Sequence, residues 1–453
     1  MRCDYESKIV NDMKDNPKRF HGYIRGMKVG CPTVGPLECP RDGSIISESK
    51  MMTEMFADAF SKVHSAQLLQ SPQPHQYHQG TLTGVTIEES KIDKLLGLLD
   101  KSSSMGPDGV HPFILKRCQK ELIKPLSMIF NVSLMNGTLP EIWKTANIKP
   151  IFKGGSRKNP LNYRPVSLTS VPCKLMERII SEHLLDYLES NHLLTEDQFG
   201  FRPNRSTEDQ LLLTYDEISS WLNDGFAADL VLLDFAKAFD VVNHKLLIDK
   251  LRLLGLKDQP LYWIIDFLND RTSRVSISGA SSQPFPVVSG VPQGSVLGPI
   301  LFLIFINSVV PNTDVKVKLF ADDLKVYCKI DHSSSDSITA SMNSLQNTLN
   351  KIYVTSTSWG LSFNTSKCIV LRFGRGVRCT EEVDPSNFYK INEVQIKVAG
   401  YATDLGVKVD DNLKFHMHIR ETTNKAWSLA SNLLRTIIRF YDTALQVSHP
   451  PYH

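Results

Sequence analysis

Apolar and polar residues alternate along two short segments that flank a pair of adjacent carboxylates. The segments are residues 315–320 and 324–329, and Ala321, Asp322 and Asp323 join them. Alternation with a period of two predicts half-buried strands, and so short a link predicts a tight hairpin turn. Neighbouring carboxylates repel each other unless a cation, typically a divalent metal, lies between them. Taken alone, the motif is equally compatible with a solvated acidic turn on a surface hairpin.

Apolar residues spaced three and four positions apart predict helices on both sides of this hairpin. Thr86 and Glu89 form a capping-box pattern before a helix over about 87–100, and a longer helical region ends at Gly137. Thr207 and Gln210 form a second cap pattern. The other predicted helices cover about 49–64, 172–189, 207–221, 243–254, 260–269, 295–307, 338–352 and 421–440.

The predicted strands indicate the fold class. Residues 230–233 form a continuous apolar run, which predicts a strand in the middle of a sheet with both faces covered. Residues 146–153, 274–278 and 368–373 are also strand-like. Strands interrupted by helices, without a fixed βαβ period, predict an α+β fold with helices packed mainly on one face of the sheet.

Composition is that of an ordinary globular protein with several structural units. The 453 residues are 42% hydrophobic and 22% charged, and the longest apolar run, residues 300–306, is far shorter than the ~20 residues of a membrane helix. Because the first residues lack a signal-peptide pattern, we expect an intracellular protein. The eight cysteines show no metal-ligand spacing and are interpreted as reduced thiols. A charged, helix-like stretch opens the chain, and residues 71–80 resemble a polar linker.

Positive charge is concentrated in one segment of a chain whose net charge is only +3. Residues 144–178 contain eight basic residues and one acidic residue, Glu177, a local net charge of +7. Such a segment indicates contact with a polyanion such as nucleic acid or nucleotide phosphate, or else a solvated basic face. Its basic residues are Lys144, Lys149, Lys153, Arg157, Lys158, Arg164, Lys174 and Arg178.

A third carboxylate follows the buried strand directly. Asp234 comes immediately after residues 230–233, where an ionised side chain is costly unless it is paired or binds a cation. If the two elements are neighbours in one sheet, Asp234 meets Asp322 and Asp323. Three carboxylates in this arrangement are what two-metal phosphoryl transfer requires.

Six segments of the chain form an ordered set of motifs. They are Lys-Pro-Ile-Phe-Lys (149–153), Asn-Tyr-Arg-Pro-Val-Ser-Leu (162–168), Gln-Phe-Gly-Phe-Arg (198–202), Leu-Asp-Phe-Ala-Lys-Ala-Phe-Asp (233–240), Gly-Val-Pro-Gln-Gly-Ser-Val-Leu-Gly-Pro (290–299) and Phe-Ala-Asp-Asp (320–323). In this order they resemble the motif set of reverse transcriptases, most closely those of non-LTR (LINE-type) retrotransposons. The resemblance covers roughly residues 86–420.

The resemblance implies a right-hand polymerase fold with fingers, palm and a partial helical thumb. We expect an N-terminal connector over residues 1–85, a helical lead-in over 86–133, the reverse transcriptase domain over 134–409 and the start of a truncated thumb over 410–453. The sequence has no endonuclease before these motifs and no zinc-knuckle or RNase H segment after them. We therefore expect a fragment of a mobile element.

The resemblance also implies the catalytic residues. Asp234, Asp322 and Asp323 correspond to the metal-binding carboxylates of the palm, and the backbone carbonyl of Phe235 to a further ligand. The implied cofactor is a pair of Mg²⁺ ions, with Mn²⁺ as a substitute. Asp240 belongs to the same motif and is expected to cap the next helix rather than to bind metal.

Other residues match positions that contact the nucleotide. Phe239 matches the bulky residue that excludes a 2′-OH, although it is also compatible with a core aromatic. Gln293 is expected to reach the incoming nucleotide, or else to cap a helix, and Gly294 to present its backbone to the template. Lys153 and Arg164 match the cations that clamp the triphosphate, with template backbone as the alternative partner.

Two C-terminal motifs complete the resemblance. Lys367 matches the lysine proposed to protonate departing pyrophosphate, and a lysine in a surface turn is the alternative. Residues 405–410 resemble a primer-gripping hairpin in which Gly406 permits close approach of the primer end, while His418 is either part of that grip or structural.

The leading hypothesis is an RNA-directed DNA polymerase that uses an RNA template, a DNA primer and dNTPs, without a membrane partner. Family resemblance implies the nucleus as its location, and the oligomeric state stays open. A catalytically inactive nucleic-acid-binding remnant of a mobile element is the alternative. Another palm-type nucleotidyl transferase is disfavoured by the segments that contain Arg164 and Gln293.

Overall fold

A computed structural model describes residues 34–40, 42–64, 80–310, 313–374 and 389–448, without the side chains of residues 433 and 436–448. The predicted helix-like start of the chain, most of the linker at 71–80, and Cys3, Cys31 and Cys379 lie outside the described residues. Within them, Cys39, Cys118, Cys173, Cys328 and Cys368 are free thiols. No described helix is both long enough and apolar enough to cross a membrane.

The described α-helices, in chain order, are α1 (Ser49–Ser61), α2 (Glu89–Leu98), α3 (Pro112–Arg117), α4 (Gln119–Asn136), α5 (Val171–Ser190), α6 (Thr207–Asn223), α7 (His244–Leu253), α8 (Asp258–Leu268), α9 (Gly298–Ile306), α10 (Ser335–Ser358) and α11 (His416–Ser448). Short 3-10 helices cover Glu141–Lys144 and Pro160–Asn162.

The described strands are β1 (Leu37–Glu38), β2 (Ile45–Ile46), β3 (Thr145–Phe152), β4 (Tyr163–Leu168), β5 (Ala227–Leu233), β6 (Arg271–Ile277), β7 (Ala280–Ser281), β8 (Phe285–Val287), β9 (Lys316–Phe320), β10 (Asp323–Ile330), β11 (Ile369–Phe373), β12 (Lys390–Ile391), β13 (Val394–Gln395), β14 (Lys397–Val398), β15 (Tyr401–Asp404) and β16 (Val407–Asp410). The α+β class is confirmed.

One five-stranded sheet carries the acidic motifs. Its order is β14-β11-β5-β10-β9, antiparallel except for the β11–β14 pair. The prediction that the apolar run at 230–233 forms a central strand is confirmed. A second sheet, with order β4-β3-β6-β7 and β8 paired to β6, contains the strands of the basic segment.

Two cores cover the faces of the first sheet. On one face, Val231 and Val326 pack with Leu345 and Ile352 of α10 and with the apolar α9. On the other face, Leu230 and Tyr327 pack with α6 and the β15–β16 hairpin. Most helices therefore cover one face, as predicted, and α6 is an exception. Because β10 is an interior strand with both faces covered, residues 324–327 are all buried rather than alternately buried and exposed.

Helix starts differ from prediction more than helix positions do. Helix α2 has Glu88 at its N-cap without a side-chain cap bond, so the Thr86 capping box is wrong. Helix α6 has its capping box one residue earlier than predicted, between Ser206 and Asp209. Helix α9 begins at Gly298 rather than at Ser295. Helix α11 extends beyond the predicted 421–440 at both ends.

Candidate active site

Strand register brings Asp234 opposite the acidic hairpin. Leu324 of β10 pairs with Leu233 of β5 in an antiparallel ladder. Asp234 directly follows Leu233 and Asp323 directly precedes Leu324, so both lie at the same end of this ladder, with Asp322 as the neighbouring residue of the turn. The structure therefore brings together the three carboxylates that the sequence motifs singled out.

The hairpin turn has an unusual backbone at Ala321. Phe320 and Asp323 form the last pair of the β9–β10 ladder, so Ala321 and Asp322 are the two turn residues. Ala321 has a φ of +57°, and Asp322 is not among the residues with positive φ. A positive φ at only the first turn position is the sign pattern of a type II′ turn, where glycine is favoured.

Burial and neighbouring charges raise the pKa of both carboxyl groups of the hairpin. Desolvation, followed by the charge of Asp234, raises the pKa of Asp322, while nearby Lys153 and Arg164 oppose that shift. Desolvation, followed by the charges of Asp322 and Asp234, raises the pKa of Asp323 to about 6. Asp323 is also an exposed residue, so screening by solvent moderates the effect.

This donor set fits a divalent cation. Carboxylate oxygens are the ligands Mg²⁺ prefers, and a cation relieves the mutual repulsion that raises these pKa values. Among the described residues, however, no group of three or more His, Cys, Asp or Glu side chains is already gathered at a metal-binding separation. The three acidic residues are neighbours, but their carboxylate groups are not close enough together to form a ready-made metal site.

The backbone of Phe235 has a defined direction. Its ring is buried and stacks on Phe363 with 4.4 Å between centroids. Hydrogen bonds from Asn364 N to Asp234 O and from Ala236 N to Ser362 O flank the Phe235–Phe363 bridge. In an antiparallel bridge of this kind, the carbonyl of Phe235 points away from residues 362–364 and towards the β10 side.

Lys367 contacts a carboxylate of the site directly. Its Nζ lies 2.8 Å from Oδ2 of Asp234, and 49% of the lysine side chain is exposed. The contact places Lys367 at the acidic cluster rather than in an isolated surface turn. Its predicted role as a proton donor to pyrophosphate stays a prediction.

Two exposed cations approach the cluster from the second sheet. Lys153 follows the end of β3, and Arg164 lies in β4 opposite Ile151. Desolvation, then the charges of Lys367 and Arg164, lowers the pKa of Lys153, while Asp234 and Asp322 act in the opposite direction. The charges of Lys153 and Arg164 in turn oppose the rise in the pKa of Asp322.

One member of the basic segment does not belong to that cationic surface. Lys144 is only 5% exposed and binds Asp266, with 2.8 Å between its Nζ and Oδ1. The predicted polyanion contact therefore excludes this residue.

Gln293 and Asp240 form a pair that the sequence did not predict. The Gln293 Nε2 donates a hydrogen bond to Oδ1 of Asp240 at 2.7 Å, and desolvation raises the pKa of Asp240. Asp240 was predicted to cap the next helix, but Asn243 is the N-cap of α7, so that prediction is wrong. The reason is that Asp240 belongs to a turn over residues 238–240, and three further residues separate it from the start of α7.

Gly294 is in close contact with β4. Its φ is +122°, and a Cβ there would lie 2.4 Å from the carbonyl oxygen of Ser167. The amide of Ser167 donates to the carbonyl of Gln293 at 2.7 Å. The loop that holds Gln293 is thereby joined to the strand that holds Arg164. Contact of Gly294 with a template stays a prediction.

Phe239 is half-buried and packs against other aromatic rings. It stacks on Phe302 of α9 with 4.1 Å between centroids and meets Phe201 edge to face at 6.3 Å. These contacts hold the side chain in place. The position of Phe239 is compatible both with a core aromatic and with a residue that contacts the nucleotide.

The predicted primer-gripping segment forms a hairpin. Leu405 and Gly406 are the turn residues between β15 and β16, with φ values of +45° and +86°. Gly406 is exposed, and a Cβ there would have no atom within 4 Å. His418 accepts a hydrogen bond from the amide of Lys408 at 3.3 Å, which supports the structural interpretation of this histidine.

Glu177 is a buried residue that sequence reasoning treated only as one acid in a basic segment. It is 0% exposed, and its Oε2 accepts hydrogen bonds from the amides of Val296 at 2.7 Å and Leu297 at 3.0 Å. These bonds hold the chain between Gln293 and α9, which explains why α9 begins late. The signal in the sequence was an acid on the apolar side of α5, between residues such as Met176 and Ile180 that the helix buries.

A family model matches the part of the chain that carries the acidic cluster. Residues 154–404, more than half of the 453, match the family described as reverse transcriptase (RNA-dependent DNA polymerase). The chain belongs to the reverse transcriptase family.

Similar proteins come from insect mobile elements. The chain is 31% identical over 348 residues to the RNA-directed DNA polymerase from mobile element jockey of Drosophila melanogaster, covering 75% of this chain and 36% of the relative. It is 30% identical over 361 residues to the probable RNA-directed DNA polymerase from transposon BS of the same species, covering 77% and 38%. It is 27% identical over 238 residues to the Pol polyprotein from retrotransposable element R2 of Popillia japonica, covering 49% and 32%.

These similarities confirm the predicted resemblance to reverse transcriptases of non-LTR elements. The chain spans little more than a third of the length of the first two relatives.

Proposed function

We propose that this chain is an RNA-directed DNA polymerase that adds dNTPs to the 3′-OH of a DNA primer on an RNA template. The observation that carries the proposal is the pairing of Leu233 with Leu324, which puts Asp234, Asp322 and Asp323 at one end of the β5–β10 ladder in a member of the reverse transcriptase family.

Asp234, Asp322 and Asp323 would hold two Mg²⁺ ions, or Mn²⁺ in their place, with the carbonyl of Phe235 as an additional ligand. When bound, such ions activate the attacking hydroxyl and neutralise the leaving pyrophosphate. The direction of the Phe235 carbonyl towards β10 supports its inclusion in this set.

The residues around the carboxylates would orient the nucleotide. Arg164 and Lys153 are exposed cations close to Asp322, which suits contacts with the triphosphate. Gln293 donates from Nε2 to Asp240, and this bond would fix the orientation of its side-chain amide towards the nucleotide. Phe239, fixed by Phe302, would exclude a 2′-OH by steric contact.

Family membership also suggests which elements would form the palm, fingers and thumb subdomains. The five-stranded sheet with β5 and β10 would be the palm, the sheet with β3 and β4 the fingers, and α11 the start of the thumb. The β15–β16 hairpin with Gly406 would approach the primer end, and Gly294 the template. The proposed boundaries are 1–85 for the connector, 86–133 for the helical lead-in, 134–409 for the reverse transcriptase domain and 410–453 for the start of the thumb.

A nuclear location is proposed on family membership alone, to be tested with a fluorescent fusion.

Primer extension tests the function. Purified chain is incubated with a primed RNA template, Mg²⁺ and dNTPs, alongside the Asp322→Ala variant and the matched surface variant Asp224→Ala. We expect extension by the wild type and by Asp224→Ala, and none by Asp322→Ala. Absence of extension by the wild type, or equal extension by Asp322→Ala, refutes the proposal.

One observation favours a second candidate, a catalytically inactive nucleic-acid-binding remnant. The ion pair between Lys367 and Asp234 places a cation on one of the three carboxylates that would hold metal. Under this alternative, the wild type binds the primed template with the salt dependence of phosphate contacts yet fails to extend it.

A further inference from the structure

A loop outside the proposed active site runs along the edge of β9. Gln198 forms a parallel bridge with Leu319. The amide of Phe199 donates to the carbonyl of Leu319 at 2.8 Å, and the amide of Leu319 donates to the carbonyl of Asp197 at 2.8 Å. The segment 197–200 therefore continues the sheet beyond β9, next to the turn that carries Asp322.

Both the oxygen and the nitrogen of the Gln198 side-chain amide form hydrogen bonds with this turn. It is 1% exposed, and its Oε1 accepts hydrogen bonds from the amide of Ala321 at 3.1 Å and from the amide of Gly200 at 2.7 Å. Its Nε2 donates to the carbonyl of Ala321 at 3.4 Å, a longer and weaker contact. One side chain thus binds both backbone polar groups of the residue that precedes Asp322.

Ala321 needs such support because of its backbone. A φ of +57° places it in the left-handed region, which an alanine adopts unfavourably in a position suited to glycine. Hydrogen bonds to its amide and carbonyl favour this conformation over competing ones. The direction in which the Asp322 side chain leaves the turn depends on that conformation.

Gly200 brings the backbone of the loop against the same residue. A Cβ at Gly200 would lie 2.3 Å from the nitrogen of Ala321. No side chain fits between the loop and the turn, so a larger residue must displace one of them.

The loop is itself anchored. Arg202, 5% exposed in its side chain, binds both oxygens of Glu189 at 2.8 and 2.6 Å. Its NH1 also donates to the carbonyl of Thr195 at 2.7 Å. Asp197 pairs with Lys318 of β9 at 3.0 Å. Gln198 therefore binds the turn from a rigid support.

We propose that Gln198 is a positioning residue, which holds Ala321 so that Asp322 is directed at the metal-binding cluster. The proposal rests on the proposed polymerase function. It assigns a role to the loop segment that otherwise has none in the chemistry. Residues that orient metal ligands typically change metal affinity or activity by about 10–100-fold when they are removed.

The test replaces Gln198 with methionine, which keeps the volume and removes the hydrogen bonds. The matched control is Gln210→Met: Gln210 is also buried, and neither polar atom of its side chain has a hydrogen-bond partner among the described residues. In Gln198→Met we expect the single-turnover rate to fall at least about tenfold and the Mg²⁺ concentration for half-maximal rate to rise severalfold. The dNTP KM and primer-template affinity stay within about twofold, and Gln210→Met matches wild type.

Two readouts are independent of polymerisation. Mn²⁺ binding to the substrate-free protein, followed by electron paramagnetic resonance, is expected to weaken in Gln198→Met. Hydrogen exchange of the peptide containing the Ala321 amide is expected to accelerate in that variant only.

The outcomes separate this proposal from the polymerase function. If the wild type extends primers and Gln198→Met equals it in rate and Mg²⁺ midpoint, the positioning role is overturned and the function stands. If the wild type does not extend primers, Mn²⁺ affinity decides: weakening in Gln198→Met supports the role, and no change overturns it. If Gln198→Met does not fold, Gly200→Ala replaces it, and a normal Mg²⁺ midpoint there overturns the proposal.

Discussion

Lys367 donates a hydrogen bond from Nζ to Oδ2 of Asp234 at 2.8 Å. Backbone bonds maintain this pair, because Asn364 N donates to Asp234 O and Lys367 N donates to Asn364 O. The turn that carries the lysine is therefore tied to the end of β5. In this position the ammonium group competes with any metal cation for the carboxylate.

Replacement of Lys367 by methionine is expected to tighten Mn²⁺ binding to the substrate-free protein by about two- to fivefold. The reason is that a positive charge is removed from a carboxylate that the metal requires, at a partly exposed site where charge effects are modest. Electron paramagnetic resonance titration measures the affinity, and Lys351→Met on the exposed side of α10 is the control. Unchanged or weaker binding contradicts this prediction. A loss of extension rate despite tighter binding supports the proton-donor role.

The raised pKa of Asp323, about 6, predicts how metal dependence varies with pH. Protons compete with metal for this carboxylate once the pH falls below about 6. We therefore expect the Mg²⁺ concentration for half-maximal extension to rise between pH 7.5 and pH 5.5. Extension rates measured across a Mg²⁺ series at each pH test this, and a constant midpoint argues against the raised pKa.

The same shift has a consequence for stability without metal. Because the folded-state pKa lies above the unfolded value of about 3.9, ionisation of Asp323 opposes folding above about pH 6 and has no effect below about pH 4. In EDTA, Asp323→Asn is expected to raise the melting temperature at pH 7.5, by no more than a few degrees since the residue is exposed. The increase should disappear as the pH is lowered towards 4.

Asp240→Ala is expected to raise the KM for dNTP by about three- to tenfold. The change removes the acceptor of the 2.7 Å hydrogen bond from Gln293, and a bond worth about 1 kcal/mol corresponds to about fivefold in binding. Asp240→Asn, which keeps an oxygen acceptor, is the matched control and should stay close to wild type. Steady-state kinetics on a primed RNA template measure both. Equal KM values for all three proteins exclude this role for Asp240.

A buried ion pair predicts a large effect on stability. Lys325 and Asp404 are 2% and 3% exposed in their side chains, with 2.5 Å between Nζ and Oδ2, and Tyr215 donates to the same carboxylate oxygen at 2.7 Å. Lys325→Met leaves that carboxylate without its cation in the interior, at an expected cost of about 3–5 kcal/mol. Urea unfolding measures the change in apparent free energy of unfolding.

The double variant Lys325→Met/Asp404→Leu is the control for that measurement. Removal of both charges avoids an unpaired ion, so we expect it to recover most of the lost stability. If the single and double variants are equally destabilised, the loss comes from packing and not from the buried charge.

Local patterns were sufficient to predict most elements of the fold. The apolar run at 230–233 indicated a central strand because only an interior strand covers both faces with apolar side chains, and β5 has that place. Helix positions followed from spacing in the same way. The ends of helices were less predictable: Ser206, not Thr207, caps α6, since a cap depends on which backbone amides remain free in the folded chain.

The secondary-structure positions of the three acidic residues could also be predicted from the sequence. Asp322 and Asp323 lie at a tight turn between alternating segments, and Asp234 follows an apolar strand. Both patterns can be recognised from residues that are neighbours in the sequence. Their meeting depends on the register of β5 with β10, which is consistent with the sequence but was not determined by it.

The sequence by itself thus determined which segments form strands and helices and which residue types are available for chemistry, because burial and periodicity are properties of neighbouring residues. Only the tertiary structure decided the contacts around the carboxylates. Gln198 and Ala321 are 123 residues apart, Lys367 and Asp234 are 133 apart, and Gln293 and Asp240 are 53 apart. Such pairs depend on the path of the whole chain, and no local pattern contains that path.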